Sequence, residues 1–122
     1  MGVDIAVIGS GPAGYVAAIR AAQLGLKTAV IEKKEIGGVC LNEGCVPTKA
    51  LIQSAEFYSK MGKAKEFGVT VGDYKIDFSA VIDRKEKIIR KHRLGISGIF
   101  KSYRIEYITG EASFIGKNQL KI

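Results

Sequence analysis

VDIAVIGSGPAGYVAAIRAAQLGLKTAVIEK, residues 3 to 33, changes its hydrophobic period twice. Its opening, VDIAVIG, is short, β-branched and ended by glycine, as a buried strand is. PAGYVAAIRAAQLG follows as an alanine-rich helix, with Pro12 tolerated in its first turn and Gly25 placed to stop it. KTAVIEK is again an apolar strand. Strand, helix and strand in so short a span predict parallel pairing and a right-handed crossover.

The junction between the first strand and the helix reads Gly9-Ser10-Gly11-Pro12-Ala13-Gly14, a G-x-G-x-x-G turn, and Glu32 closes the second strand. Gly9 permits the tight turn, Gly11 removes the Cβ that would block a pyrophosphate, and Gly14 lets helix and strand approach. The helix start offers unpaired N–H groups and a positive dipole end to phosphates. Glu32 is placed to accept hydrogen bonds from ribose hydroxyls and to repel a 2′-phosphate. A glycine turn that merely packs strand on helix is the plainer alternative; the surrounding strand, helix and Glu32 favour an ADP-containing cofactor. The motif itself does not separate NAD from FAD. The fold expected is a Rossmann-like FAD/NAD(P)-binding α/β fold, a parallel sheet with flanking helices.

At 122 residues the chain suits one core and is too short for two ordinary domains. PTKALIQSAEFYSKM reads as a helix ending near Gly62, a turn-rich stretch follows around VGDYK, and a long helix runs from Asp77 or Ser79 to Lys101. RIEYITG, EASFIG and NQLKI are short β-rich runs between glycines, as in an antiparallel meander. The net charge of +7 is concentrated in RKEKIIRKHR, residues 84 to 93, which has six basic residues against Glu86. Phe78, Val81, Ile82, Ile88, Ile89, Ile96, Ile99 and Phe100 recur near helical spacing, so these charges are expected on the outer face of an amphipathic helix. No aromatic residues interleave with them, and nucleic acid is not an expected partner. The first apolar stretch carries Asp4 and Pro12 and lacks a basic leader, so neither a secretion signal nor a membrane span is read and a cytoplasmic location is expected. Because the sequence stops within a strand-like run, it is expected to be the amino-terminal piece of a longer polypeptide.

IGGVCLNEGCVPTKAL, residues 36 to 51, holds the only two cysteines, Cys40 and Cys45. In a reducing compartment such a pair is more often catalytic, redox-active or metal-binding than structural. In a regular helix their Cα atoms would lie roughly 8.6 Å apart, whereas a disulfide needs about 4.4–6.8 Å. Pairing therefore requires a break in the helix, for which Gly44, Pro47 and Asn42 supply the means. A bridge across so short a loop restricts the unfolded chain little and suits exchange better than stapling. Cys45 ahead of a helix start, with Lys49 one turn on, is placed to favour a thiolate. A metal site lacks ligands, since His92 is the one histidine, and none is expected. Inert thiols remain the other alternative.

Together the glycine turn and GG-x-C-x-N-x-G-C-x-P resemble the pyridine nucleotide-disulphide oxidoreductases of class I. GYVAAIRAAQLG and GCVPTKAL are most similar to the dihydrolipoamide dehydrogenase branch, while glutathione and mercuric reductases share the cysteine frame; ITGEASFIGKNQLKI resembles the family's β-meander. The resemblance implies that the first β-α-β unit binds the ADP half of FAD and that Cys40 and Cys45 form a redox disulfide. Cys40 would then attack a lipoyl-type dithiol substrate, Cys45 would be the thiol nearer the flavin, and Lys49 would lie beside the flavin N5 region. Glu32 would hold the adenosine ribose and Lys33 the cofactor's edge. Gly38, Val39 and Gly44 would wall the isoalloxazine site, and Gly110 and Ala112 would meet the adenine. Val39 stands where threonine is common, Thr48 replaces serine, and Glu43 places a negative charge that would raise the pKa of the cysteines. The resemblance further implies that residues 1–122 are the amino-terminal part of an FAD-binding domain. The NAD-binding and dimerisation domains would lie outside this chain, the complete enzyme would be a homodimer, and a 2-oxo acid dehydrogenase complex is the assembly such an enzyme serves.

Overall fold

TAVIE, Thr28–Glu32, is buried from end to end, which only a strand with neighbours on both edges achieves. In the computed structural model, which describes residues 2–122, this is β2, the middle strand of a parallel sheet ordered β1-β2-β3. β1 is Ile5–Ile8 and β3 is Glu106–Thr109, with Val7 opposite Val30 and Val30 opposite Tyr107. Between β1 and β2 runs α1, Pro12–Gln23. Its end is closed by Gly25 at φ +85°, whose N–H donates to Ala22 O at 3.0 Å while Leu26 N–H donates to Ala21 O at 3.1 Å. These are the two bonds of a glycine-terminated helix end.

The chain returns from β2 to β3 through α2 (Gly38–Asn42), α3 (Cys45–Gly62), a 3-10 turn (Ala64–Phe67) and α4 (Phe78–Ser102). Asp77 caps α4, its Oδ1 accepting from Ala80 N–H at 3.1 Å. Since the strands follow in the order 1-2-3, right-handed crossovers place α1 and α4 on the same face of the sheet. There the core forms: Ala18 of α1, Val30 of β2, Ile36, Leu41 of α2, Ile89, Ile96 and Phe100 of α4, and Ile105. Tyr107 tilts against Phe100 with ring centroids 6.2 Å apart.

Three expectations change. RIEYITG does not open a meander; its residues Glu106–Thr109 are the third parallel strand, because β2 has a free edge that the long helical crossover brings the chain back to fill. Antiparallel pairing is confined to β4 (Ser113–Gly116) and β5 (Gln119–Lys121). The helix expected from Pro47 starts two residues earlier, at Cys45. Of the apolar residues assigned to the buried side of α4, Phe78 is 67% exposed and Ile99 is 41% exposed, leaving Ile89, Ile96 and Phe100 as its fully buried stripe. Among the described residues no helix is long and apolar enough to cross a membrane.

Candidate active site

Two constructions meet at the carboxyl ends of β1 and β2, where ligands of open α/β sheets bind. The first is backbone. Gly9 turns the chain at φ +94° while its N–H donates to Ile31 O at 2.7 Å, tying the end of β1 to β2. A Cβ on Gly14 would overlap the Gly9 carbonyl oxygen, so α1 approaches the strand as only glycine allows. Gly38, at φ +67°, comes so near Gly11 that a Cβ on it would lie 2.6 Å from the Gly11 Cα. A Cβ on Gly11 itself would meet nothing within 4 Å, so that side of the turn is open. Pro12 begins α1, no side chain caps it and no acidic residue stands in its first turn. The N–H groups of Ala13 and Gly14 therefore carry the helix's positive end with no intrahelical partner.

Glu32 is the hub of this end. Its Oε2 accepts from Ser10 N–H at 2.8 Å and from Ser10 Oγ at 2.7 Å, and its Oε1 accepts from Lys34 N–H at 3.0 Å. Ser10 Oγ in turn accepts from Gly37 N–H at 3.2 Å. Burial pushes the Glu32 carboxyl up, but these donors outweigh it and hold the pKa below the ordinary value. The carboxylate thus binds the turn to the following loop, a role the sequence reading did not assign. The overlooked signal is Ser10, a hydroxyl inside the glycine motif.

A cleft of about 170 Å³ brings Gly9, Glu32, Lys33, Gly110 and Ala112 together with Ile8 and Ile31. Lys33 Nζ meets Glu111 Oε1 at 3.0 Å at its mouth, both side chains exposed. A larger cleft of about 790 Å³ joins Glu32 and Lys33 to Gly38 and Val39, with Asn42, Glu43 and Arg93 along it. The open side of Gly11, the free N–H groups of α1 and these clefts fit a pyrophosphate with an adenosine beside it. Gly11, Pro12, Ala13 and Lys49 line neither cleft; Lys49 faces a separate hollow with Val46, Ala50 and Ile88.

The second construction carries the sulfurs. Cys40 sits in α2, whose five residues end at Asn42, and Cys45 opens α3. Glu43 and Gly44 break the helix between them. A Cβ on Gly44 would lie 3.2 Å from the Cys40 Cα and from Val39 O, so glycine lets α2 fold closely onto the start of α3. Both cysteines are free thiols, Cys40 half-buried and Cys45 exposed. The Cys45 side chain as neighbour, then burial, pushes the Cys40 thiol up. The Cys45 N–H and the Lys49 charge pull the other way. Glu43, expected to raise the pair, is not among the causes; the perturbing neighbour of Cys40 is Cys45.

α4 reaches this loop with charged side chains. Arg93 Nε donates to Asn42 Oδ1 at 2.6 Å and Arg93 Nη1 lies 3.2 Å from Glu35 Oε2. Arg84 donates to Ala50 O at 3.0 Å and also bonds Gln53 and Ser54 of α3. The basic run is therefore not wholly an outer face. The overlooked signal is spacing: Arg93 stands on the stripe of Ile89, Ile96 and Phe100. His92 is exposed, its Nδ1 on Ile88 O at 2.8 Å. Among the described residues no three His, Cys, Asp or Glu side chains gather as a metal site would need.

Comparison with known proteins gives the family and the fold. The dihydrolipoyl dehydrogenase of Chlamydia muridarum is 47% identical over 119 residues, covering 98% of this chain and 26% of the relative. That of Bacillus subtilis is 43% identical over 119 residues, covering 98% of this chain and 25% of the relative. Among solved structures, the Cu(II) complex of the HOCl-induced flavoprotein disulfide reductase RclA from Escherichia coli superposes with a TM-score of 0.76 at 29% identity, covering 95% of this chain and 24% of that one. The chain thus spans about a quarter of the length of the relatives it matches. The sequence model of the pyridine nucleotide-disulphide oxidoreductases matches residues 3–121, and the chain belongs to that family.

Proposed function

We propose that this chain is the amino-terminal part of the FAD-binding domain of a dihydrolipoamide dehydrogenase-type enzyme. The observation that carries the reading is the closure of α2 onto α3 at Gly44, which brings the Cys40 backbone against the residue before Cys45 on the same scaffold as the open glycine turn. Gly9, Gly11 and Gly14, with the free N–H groups of Ala13 and Gly14, hold the pyrophosphate of FAD. Glu32, Lys33, Gly110 and Ala112 surround its adenosine, Gly38, Val39 and Gly44 stand toward the ring, and Lys49, which faces the hollow beside Val46, would have to swing from it to reach the ring. FAD, when bound, supplies the acceptor for two electrons that the complete enzyme passes to NAD, bound outside this chain.

In the oxidised protein, a thiolate of the lipoyl dithiol attacks the Cys40 sulfur and the Cys45 sulfur leaves as a thiolate. The second substrate thiolate then attacks its own mixed disulfide, releasing Cys40 as a thiolate and the substrate as a disulfide. Two electrons have then entered the pair and the substrate's two protons have gone to base or solvent. Cys45 N–H and Lys49 ease the negative charge on Cys40 as it leaves. A homodimer, service to a 2-oxo acid dehydrogenase complex and a cytoplasmic location belong to the same proposal.

The test is dihydrolipoamide-linked NAD reduction by the full-length protein. Cys40→Ser and Cys45→Ser should each lower kcat at least about 1,000-fold while the protein stays yellow, because the flavin site keeps its backbone. A colourless full-length protein with no titratable disulfide would sink the reading. The likeness to a flavoprotein disulfide reductase supports a second one, in which glutathione disulfide or mercuric ion is the substrate. Parallel assays with those substrates decide between the two.

A further inference from the structure

Asn42 ends α2, two residues after Cys40 and three before Cys45, and its amide is used from both sides. Nδ2 donates to Gly38 O at 2.7 Å and to Ile36 O at 3.1 Å, the carbonyls where the loop enters α2. Oδ1 accepts from Arg93 Nε at 2.6 Å. The same guanidinium reaches Glu35, so one side chain from the middle of α4 grips the loop before α2 and the last residue of α2 at once. Only an arginine fork makes both contacts; a lysine ammonium is a single point of charge on a flexible stem. Five residues do not hold a helix by themselves, so the place of α2 is set by what it is tied to. Leu41 ties it through the core and Asn42 through Arg93.

We propose that Arg93 is a positioning residue for the cysteine pair: by fixing the Asn42 amide it holds the end of the Cys40 helix at the approach to α3 from which the two sulfurs close into a disulfide. The inference rests on the redox reading above. Pre-placed thiols act at high effective concentration on one another, which favours the disulfide over two separate thiols. Releasing the end of α2 lowers that concentration and makes the disulfide easier to reduce. Arg93 acts through Asn42, and its polar contacts go to Asn42 and Glu35.

The test is the thiol–disulfide equilibrium of the full-length chain in glutathione buffers without oxygen, trapped by alkylation and read by mass. In this exchange, glutathione disulfide takes two electrons and two protons from Cys40 and Cys45, giving two glutathione thiols and one intramolecular S–S bond. Arg93→Met is expected to lower the equilibrium constant for closing the disulfide about tenfold, equivalent to about 30 mV, with the circular dichroism of the folded protein preserved. Arg93→Lys should not restore it. Asn42→Ala should produce the same change, and the double variant should add little to either single one, as for residues that act as one unit. A folded Arg93→Met with the wild-type constant overturns the proposal, as do fully additive effects of the two substitutions. Should Arg93→Met fail to fold, Asn42→Ala and Arg93→Lys are read in the same buffers, and wild-type constants in both overturn it. A wild-type protein whose thiols never close at any glutathione ratio instead overturns the redox reading on which this one stands.

Discussion

The glycine turn and the cysteine segment lie side by side in the fold but are built differently. The turn is made from backbone. Its shape depends on where Cβ atoms are missing, at Gly9, Gly14 and Gly11, and its side-chain hub, Glu32, binds Ser10 and Lys34 within the same β-α-β unit and its exit. The cysteine segment is propped from afar, since Asn42 meets Arg93 from 51 positions away and Ala50 meets Arg84 from 34. A site made of missing side chains tolerates almost no change at the closest approach and all of it where the ligand goes. A site made of props tolerates graded change. Substitutions can test this division.

The largest effect is expected at Gly14. An alanine Cβ there would overlap the Gly9 carbonyl, which is backbone and cannot swing aside, so Gly14→Ala should cost about 3 kcal/mol in urea unfolding. Gly11→Ala, three residues earlier, should leave stability within about 0.5 kcal/mol because its Cβ meets open space. Binding of an ADP-containing dinucleotide should nevertheless fall at least about tenfold, or ~1.4 kcal/mol. If Gly11→Ala binds as the wild type does, the pyrophosphate does not lie on the turn. If Gly14→Ala is stable, the first region is not built as described.

Next comes Glu32→Gln, which should cost roughly 1.5–3 kcal/mol at neutral pH, the worth of hydrogen bonds to a charged acceptor. The pH dependence has a fixed sign. The folded pKa of Glu32 lies below its ordinary 4.5, so its contribution is complete above that value and is lost as pH falls through the lower folded value. The gap between wild type and Glu32→Gln in urea midpoint should therefore be constant at neutral pH and shrink as the solution is acidified below about 4.5. A gap that widens on acidification would show that the carboxylate is held by burial rather than by Ser10 and Lys34.

The same contrast sets what could be read in the sequence. The β-α-β unit, the glycine turn and the end of α1 follow from local periodicity and from residues such as Gly25 that act on their immediate neighbours, while the start of α4, open between Asp77 and Ser79 in the sequence, is fixed by the Asp77 cap. The need for a helix break between Cys40 and Cys45 followed from covalent reach alone. Other features did not follow, because they depend on which distant elements meet. Glu106–Thr109 has the composition of any short strand, and only the free edge of β2 makes it parallel. Arg93 has the look of a surface charge, and only the placement of α2 against α4 turns it into a prop. Glu43 has a charge of the expected sign near the thiols, yet the neighbour that perturbs Cys40 is Cys45.

Distance along the chain is not by itself what makes a prop, and the smallest effect separates the two ideas. Lys33 and Glu111 pair from 78 positions apart, farther than Arg93 and Asn42, but their side chains are 60% and 75% exposed. Water screens such a pair, and ordering two long side chains costs entropy, so Lys33→Gln should change stability by less than about 0.5 kcal/mol and leave the response to added salt almost as it was. The Arg93 guanidinium is bound to a part-buried amide, and an apolar side chain at 93 takes that donor away from Asn42 Oδ1 inside the loop. If Lys33→Gln destabilised the protein as much as Arg93→Met, contact across the chain rather than burial of the contact would be what holds this end of the sheet, and the cysteine segment would lose its claim to a distinct construction.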